Sequence, residues 1–384
     1  MNNRTDVSSE WDPIDDAVYL DTAAHAVMPR VAAAAAEGSI EANRRPYRVD
    51  DATFFDVSDG LRSAIATLLG GSAQEVALTT GASTGLQVIA QNIDWRHGDG
   101  IVIAGGDFPL QYAVWKPMEE RVGAQLAIVA PRDGDLSADD VIEAITSRTR
   151  VVSLSQVRFD TGALLETSRI AAACRTSGAW FLLDMSQSCG AVETDVRELG
   201  ADIVVCAGYK WLLGPYGTGF LWVREERLNQ LLPAPFYWTG QNAETFASLQ
   251  FDRFEPSRHA KRFDAAESAT QLNLNLAAFR ASVELIVRIG PRAVLQNGLD
   301  LIDALFAQLP AHCAPASPRD RNRRGAFGSF TAGSVEATTA LYHRLRAANV
   351  FVSLRQGKIR VAPHLFNSLE QIEMLLHELH RSAA

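Results

Sequence analysis

Lys210 is the side chain in this sequence best suited to act as a nucleophilic amine. The run ADIVVCA before it, 201–207, is apolar and β-branched and reads as a buried strand. The turn GPYGTG, 214–219, follows, and GFLWV, 219–223, reads as a second apolar strand. Lys210 therefore stands in a loop at a strand end, among aromatic and apolar neighbours. Lysine is rarely buried without a reason. Desolvation lowers the pKa of an amine and favours the neutral form that a Schiff base requires. A lysine draped over apolar surface accounts for this stretch equally well when it is read alone.

A carboxylate separates the two readings. WFLLD, 180–184, is an apolar strand that ends in Asp184, and Gln187 follows shortly after it. In an α/β protein a carboxylate there lies at the carboxyl end of the sheet, where ligands bind. It can hold the pyridinium nitrogen of pyridoxal phosphate (PLP), the partner this cofactor needs to accept electrons. Asp184 precedes Lys210 by 26 residues, room for one helix and one strand. Without Lys210, Asp184 reads as a helix N-cap. Further upstream, Gly81, Ser83, Thr84 and Gly85 open a helix whose N–H groups and hydroxyls suit a phosphate. The lysine of a Walker loop is missing there, and read alone Ser83 or Thr84 is an N-cap.

Strand-Asp-x-x-Gln, the strand leading to Lys210 and the GPYGTGF turn together resemble the class V aminotransferase family. That family includes cysteine desulfurases, selenocysteine lyase, kynureninase and isopenicillin N epimerase. The resemblance runs from YLDTAA, 19–24, to IRVAPHLFN, 359–367. It implies the PLP-dependent transferase fold type I, an α/β fold. A seven-stranded, mostly parallel sheet with an antiparallel last strand would be followed by a smaller C-terminal α/β domain. The expected boundaries are 17–264 for the large domain and 265–384 for the small one.

The resemblance also assigns roles. PLP is implied on Lys210 as a Schiff base, with Asp184 at the ring nitrogen, Gln187 at the ring 3′-oxygen and Ser83 and Thr84 at the phosphate. Tyr209 is implied as a further phosphate contact, as in kynureninase-like members. Desulfurases carry histidine there, and serine at the position of Ala207. Phe108, in GGDFPLQY, is implied to stack on the ring, where desulfurases use a histidine that can serve as an acid. Arg360 matches the family arginine that holds the substrate α-carboxylate, work that suits its bidentate fork. His25 lies in AVYLDTAAH, 17–25, which passes close to the family's active site. It either faces substrate or is a structural hydrogen-bonding group.

The chemistry implied is deprotonation of an α-amino acid at Cα by Lys210. Transamination ranks first, with epimerisation of the isopenicillin N epimerase type and cysteine-independent β-elimination (a C–S lyase) as alternatives. A non-catalytic PLP-fold protein ranks last, because Lys210, Asp184 and Arg360 are all present. Desulfurases carry a nucleophilic cysteine shortly before the carboxylate-binding arginine. Here that region reads VFVSLRQGKIRV, 350–361, without cysteine, and Cys313 lies well upstream.

The elements that must position these residues are legible. VALTT, IVIA, LAIV, VVSLS, WFLLD, IVVCA and GFLWV alternate with helical segments, which predicts a mostly parallel sheet covered on both faces. VAAAAAEGSIEANRR is helical by its alanine content, and 56–70 has amphipathic spacing that stops at Gly70-Gly71. The segment 229–268 has few periodic runs and several aromatics. In the family the equivalent segment reaches a neighbouring subunit's site. Tyr237, Trp238, Ser268 and Thr270 are therefore candidates for contacts shared across a homodimer. Helices at about 269–289 and 293–308, strands in AFGSFT, NVFVSL and KIRVAP, and an amphipathic helix over 369–382 make up the rest. His377 and His380 on that last helix form no zinc signature and read as a solvated face. Arg158 reads as paired with a surface carboxylate, the alternative being a second acidic group on the substrate.

Composition sets the outer bounds. With 384 residues, 47% of them hydrophobic, the chain has material for two domains. A net charge of −9 argues against a nucleic-acid partner, and RDRNRR, 319–324, reads as a solvated loop. Cys174, Cys189, Cys206 and Cys313 show neither metal spacing nor a disulfide framework; all but Cys313 read as core. The opening MNNRTDVSSEWDPIDD is polar and acidic, and no apolar run approaches a membrane span. The expectation is a cytoplasmic enzyme with an amino-acid substrate, no metal and no membrane partner.

Overall fold

The computed structural model describes residues 7–14, 16–132, 136–232, 237–243, 246–249, 252, 255–265 and 272–381. Ser268 and Thr270 lie outside the described residues. The N-terminal part holds β1 (Val18–Tyr19), α1 (Arg30–Arg44) and α2 (Asp56–Leu69). The chain then runs β2 (Val76–Thr79), α3 (Ala82–Asn92), β3 (Gly100–Ala104), α4 (Pro109–Trp115), α5 (Pro117–Val122) and β4 (Gln125–Val129). It continues through α6 (Ala138–Glu143), β5 (Thr149–Ser155), α7 (Thr167–Ser177), β6 (Trp180–Asp184) and α8 (Val196–Leu199). Next come β7 (Ile203–Ala207), β8 (Gly219–Val223), α9 (Glu225–Leu228), α10 (Leu274–Ile289) and α11 (Pro291–Ala307). The C-terminal elements are β9 (Ala314–Pro315), β10 (Gly328–Thr331), α12 (Val335–Ala347), β11 (Val350–Phe351), β12 (Ser353–Arg355), β13 (Lys358–Val361) and α13 (Leu369–Arg381).

Seven strands form the central sheet in the order β2-β8-β7-β6-β5-β3-β4. β8 is antiparallel to both neighbours, and the other pairings are parallel. One face, with Val152, Leu154, Phe181, Leu183, Val204 and Cys206, packs against side chains of α2, α7 and α10. The other, with Ile101, Ile103, Val151, Leu182, Ile203 and Val205, packs against α3, α4 and α5. Burial on both faces is why these strands read as continuous apolar runs rather than alternating ones. The edge strand β4 is largely exposed. α2 ends where predicted, because Gly70 adopts φ 66°, a left-handed cap that glycine takes without a Cβ clash.

The C-terminal sheet runs β12-β13-β10-β9. Against it α13 buries Ile372, Leu375, Leu376 and Leu379, the i, i+3, i+4, i+7 stripe of an amphipathic helix. At about 1.5–3 kcal/mol for each large aliphatic side chain, this stripe is what holds the helix down. His377 and His380 lie exposed on its outer side. The segment NVFVSL does not form one strand: β11 leaves the sheet and pairs in parallel with β1, while β12 stays with β13. The helix expected from about 269 starts at Leu274, where the Asn273 side chain accepts the Leu276 N–H at 3.2 Å. RDRNRR is not wholly solvated. Arg324 is buried, pairs with Asp303 and donates to the Pro318 carbonyl at 2.8 Å.

Candidate active site

The carboxyl ends of β2, β5, β6 and β7 open on one cavity. Its wall includes Thr80 to Thr84, Phe108, Ser155, Phe159, Asp184, Ser186, Gln187, Tyr209, Lys210 and Tyr216. Ser83, Thr84, Phe108, Asp184, Gln187, Tyr209 and Lys210, singled out from sequence, thus meet in one place. Arg360 and His25 stand outside this wall.

Lys210 is held by a tight loop. Gly208 N–H donates to the Thr218 carbonyl and Gly214 N–H to the Gly208 carbonyl, each at 2.8 Å. A Cβ on Gly208 would come within 2.4 Å of Thr218 Oγ1 and 2.8 Å of the Phe279 ring, so the loop closes only around glycine. Lys210 is 8% exposed. Its Nζ lies 5.4 Å from the centre of the Phe108 ring and forms no ion pair among the described residues. Burial pushes its pKa down; Asp184 pulls the other way, and the charges of Arg360 and Arg355 push it down further.

Asp184 is fixed by its neighbours. One carboxylate oxygen accepts the Ser186 N–H at 2.8 Å, and Ser186 Oγ accepts the Ala207 N–H at 3.0 Å. Gln187 accepts from Trp211 Nε1 at 2.9 Å and donates to the Ala23 carbonyl at 3.0 Å. An indole only donates, so Trp211 fixes which end of the amide is oxygen and leaves Gln187 a second N–H for a ligand acceptor. Asp107, which sequence reasoning passed over, holds the Phe108 loop to β5. It accepts from Phe108 N at 2.7 Å and from Ser155 Oγ at 2.9 Å. Burial pushes its carboxyl up, and these hydrogen bonds oppose the shift. Phe108 is half-exposed, not a core aromatic, and meets Phe159 edge-on at 5.5 Å.

The first turn of α3 has no side-chain cap, because Gly81 occupies the N-cap. The hydroxyl-bearing Thr80 and Thr84, whose oxygens lie 2.6 Å apart, line the cavity at this helix start. An uncapped helix start with hydroxyls, a carboxylate acceptor, an amide N–H donor and a nucleophilic amine are the groups that PLP needs for its phosphate, ring nitrogen, 3′-oxygen and aldehyde.

Arg360 is 2% exposed. It pairs with Asp21 at 3.1 Å and donates to the Phe159 carbonyl at 2.9 Å, while its Nε has no hydrogen-bond partner. His25 is exposed and stacks near Tyr209 and Tyr216, with ring centres 5.9 and 6.1 Å away. Arg158 is buried rather than superficial. It pairs with buried Asp160 at 3.2 Å and donates to the Gly106 carbonyl at 2.9 Å. Of the four residues expected to be shared across a dimer, Tyr237 and Trp238 are described, and they pack on one another with ring centres 5.6 Å apart. All four cysteines are free and buried. Cys313 lies in the C-terminal core with Leu301 and Phe330, where burial pushes its thiol up to about 11. Among the described residues no group of His, Cys, Asp or Glu has a metal-binding arrangement, and no helix is long and apolar enough to cross a membrane.

The sheet and the cavity at its carboxyl edge define an α/β enzyme built around PLP. The sequence model for the aminotransferase class-V family matches residues 18–371, and the chain belongs to that family. A probable cysteine desulfurase of Methanothermobacter thermautotrophicus is 25% identical over 394 aligned residues, covering 96% of each chain. Isopenicillin N epimerase of Streptomyces clavuligerus is 23% identical, over 83% of this chain and 82% of its own. Among solved structures, the cystine C–S lyase C-DES shares the fold. Its form with glycine covalently linked to the PLP cofactor superposes with a TM-score of 0.84 at 22% identity, covering 95% of this chain and 96% of its own.

Proposed function

We propose that the protein transfers the amino group of an α-amino acid, with PLP bound through Lys210. When bound, PLP draws the electrons of a broken Cα–H bond into its ring. Lys210 carries this reading, because it is the one amine in the cavity wall among the described residues and burial favours its neutral, basic form. Amino-group transfer needs a single base, which takes the proton from Cα and returns it across the nitrogen. Epimerisation needs a second proton carrier on the opposite side. Phe108 has no proton to give, and the Tyr209 hydroxyl is pushed up to about 12, by burial first and by Tyr216 next.

In this reading Asp184 keeps the ring nitrogen protonated, Gln187 donates to the 3′-oxygen, and Ser83 and Thr84 hold the phosphate with help from Tyr209. Phe108 covers the ring, and Arg360 holds the α-carboxylate with its unused Nε. Relatives named as desulfurases do not carry their chemistry over, since the hairpin before Arg360 has no cysteine and Cys313 is shut in a core. We read the protein further as a cytoplasmic homodimer with shared sites. Tyr216, 69% exposed at the cavity rim, is a surface that a second subunit would cover. Light scattering that shows a fully active monomer would overturn the dimer.

The test is to incubate PLP-loaded protein with a panel of L-amino acids and pyruvate or 2-oxoglutarate, and to separate the products. A new amino acid formed from the acceptor supports the reading. Racemised substrate, or released thiol, with no new amino acid overturns it.

A further inference from the structure

We infer that Arg355 binds a second anionic group of the substrate, so that the protein acts on α-amino acids whose side chain ends in a carboxylate. The inference rests on the reading of the cavity as an amino-acid site. β12 and β13 form a hairpin closed by Gln356 and Gly357, whose φ values of 48° and 73° are those of a two-residue turn matched to strand twist. The register sets Ser353 opposite Arg360 and Arg355 opposite Lys358. Side chains alternate along strands, so these four share one face, while Ile359 and Val361 enter the C-terminal core from the other. The polar face meets the cavity rim. Gln356 Nε2 donates to the Gly106 carbonyl at 3.1 Å, just before Phe108, and Arg360 to the Phe159 carbonyl at 2.9 Å. Phe108 and Phe159 both line the cavity.

Charge at this rim is unbalanced. Arg360 has Asp21, whereas Lys358 and Arg158 share Asp160, at 3.1 and 3.2 Å. Arg355 is partly buried and pairs with no carboxylate among the described residues; its hydrogen bond goes to the Leu354 carbonyl at 2.9 Å. It also lies close enough to Lys210 and Arg360 to disfavour the charge on each. Of these four cations, Arg355 is the one without a carboxylate partner among the described residues, and its charge is the one left for a ligand to meet. With the α-carboxylate at Arg360, a side-chain carboxylate meets Arg355 one strand repeat of about 7 Å along the hairpin. The guanidinium fork also discriminates a carboxylate from the neutral amide of the same shape.

The test titrates PLP-loaded wild type, Arg355→Gln and Arg355→Lys with aspartate, asparagine, glutamate and glutamine, following the cofactor absorbance. Thermal stabilisation by succinate and glutarate, which have two carboxylates and no amine, is measured alongside. In the wild type each acid should bind about 10- to 100-fold tighter than its amide. Arg355→Gln should collapse that ratio to within about threefold, and Arg355→Lys should keep part of it. Succinate or glutarate should stabilise the wild type more than Arg355→Gln. A wild-type ratio near unity, or one unchanged in Arg355→Gln, overturns the inference and leaves the amino-acid chemistry standing. No absorbance change with these ligands or with a wider amino-acid panel overturns the amino-acid reading, and the inference with it.

Discussion

Replacing His364 by phenylalanine should remove a specific acid lability from the support of the Lys210 loop. His364 is fully buried, with its ring 5.9 Å from Trp211, 6.0 Å from Trp11 and 5.8 Å from Phe366. Neither ring nitrogen has a hydrogen-bond partner of ordinary geometry. Burial pushes its pKa from 6.5 down to about 3, opposed weakly by the Trp211 backbone. A folded pKa below the unfolded one means that the unfolded chain binds more protons between these values. The stability is therefore intact above pH 6.5 and is lost as pH falls towards 3. The shift corresponds to roughly 5 kcal/mol in full, of which roughly 2 kcal/mol is lost by about pH 5. Phenylalanine keeps the ring and its apolar contacts, and the backbone bonds to Asn367 and Asn297 do not depend on the imidazole. Urea unfolding followed by tryptophan fluorescence, at about pH 8 and about pH 5, should show the wild type losing roughly 2 kcal/mol more than His364→Phe. Equal pH dependence of the two proteins, within about 0.5 kcal/mol, would refute the buried neutral histidine.

Two further outcomes follow from the site. Lys210→Ala should abolish PLP attachment that survives borohydride reduction and denaturation; attachment at the wild-type yield would remove Lys210 from its role. With cysteine and a thiol reductant, Cys313→Ala should release sulfide, if any, at the wild-type rate. Fast release that disappears in the variant would show that Cys313 escapes its core and reaches the cavity.

The seven central strands were legible because burial on both faces writes an unbroken apolar run, and the residues at their carboxyl ends followed. Asp184 could be found by that logic. Asp107 carried the same signal, an acid just past a buried strand, but Phe108 beside it drew the functional reading. Arg158 looked superficial because nothing local marks Asp160 as its buried partner. Arg355 was silent for a different reason. Its place beside Arg360 depends on a strand register and on a two-residue turn that requires positive φ at Gln356, a residue with no strong preference for it. β1 is two residues long, and what makes it a strand is a partner near the other end of the chain.

That pairing bears on how the protein is made. Asp21 accepts from Ser353, across a separation of 332 residues, and pairs directly with the Arg360 guanidinium, across 339. At roughly 5–20 residues per second on the ribosome, the N-terminal segment waits roughly 15–70 s for the strand it pairs with. The strands of the central sheet all lie within residues 76–223, so even β2, which must wait for β8, has its partner well before the β12–β13 hairpin is made. Such long-range closure is slow because the entropy of the loop is lost before any contact forms. The tie between Asp21 and Arg360 is thus among the last contacts available to a nascent chain. A product truncated before β13 would hold every residue of the cavity wall and still lack the arginine proposed to hold the substrate carboxylate.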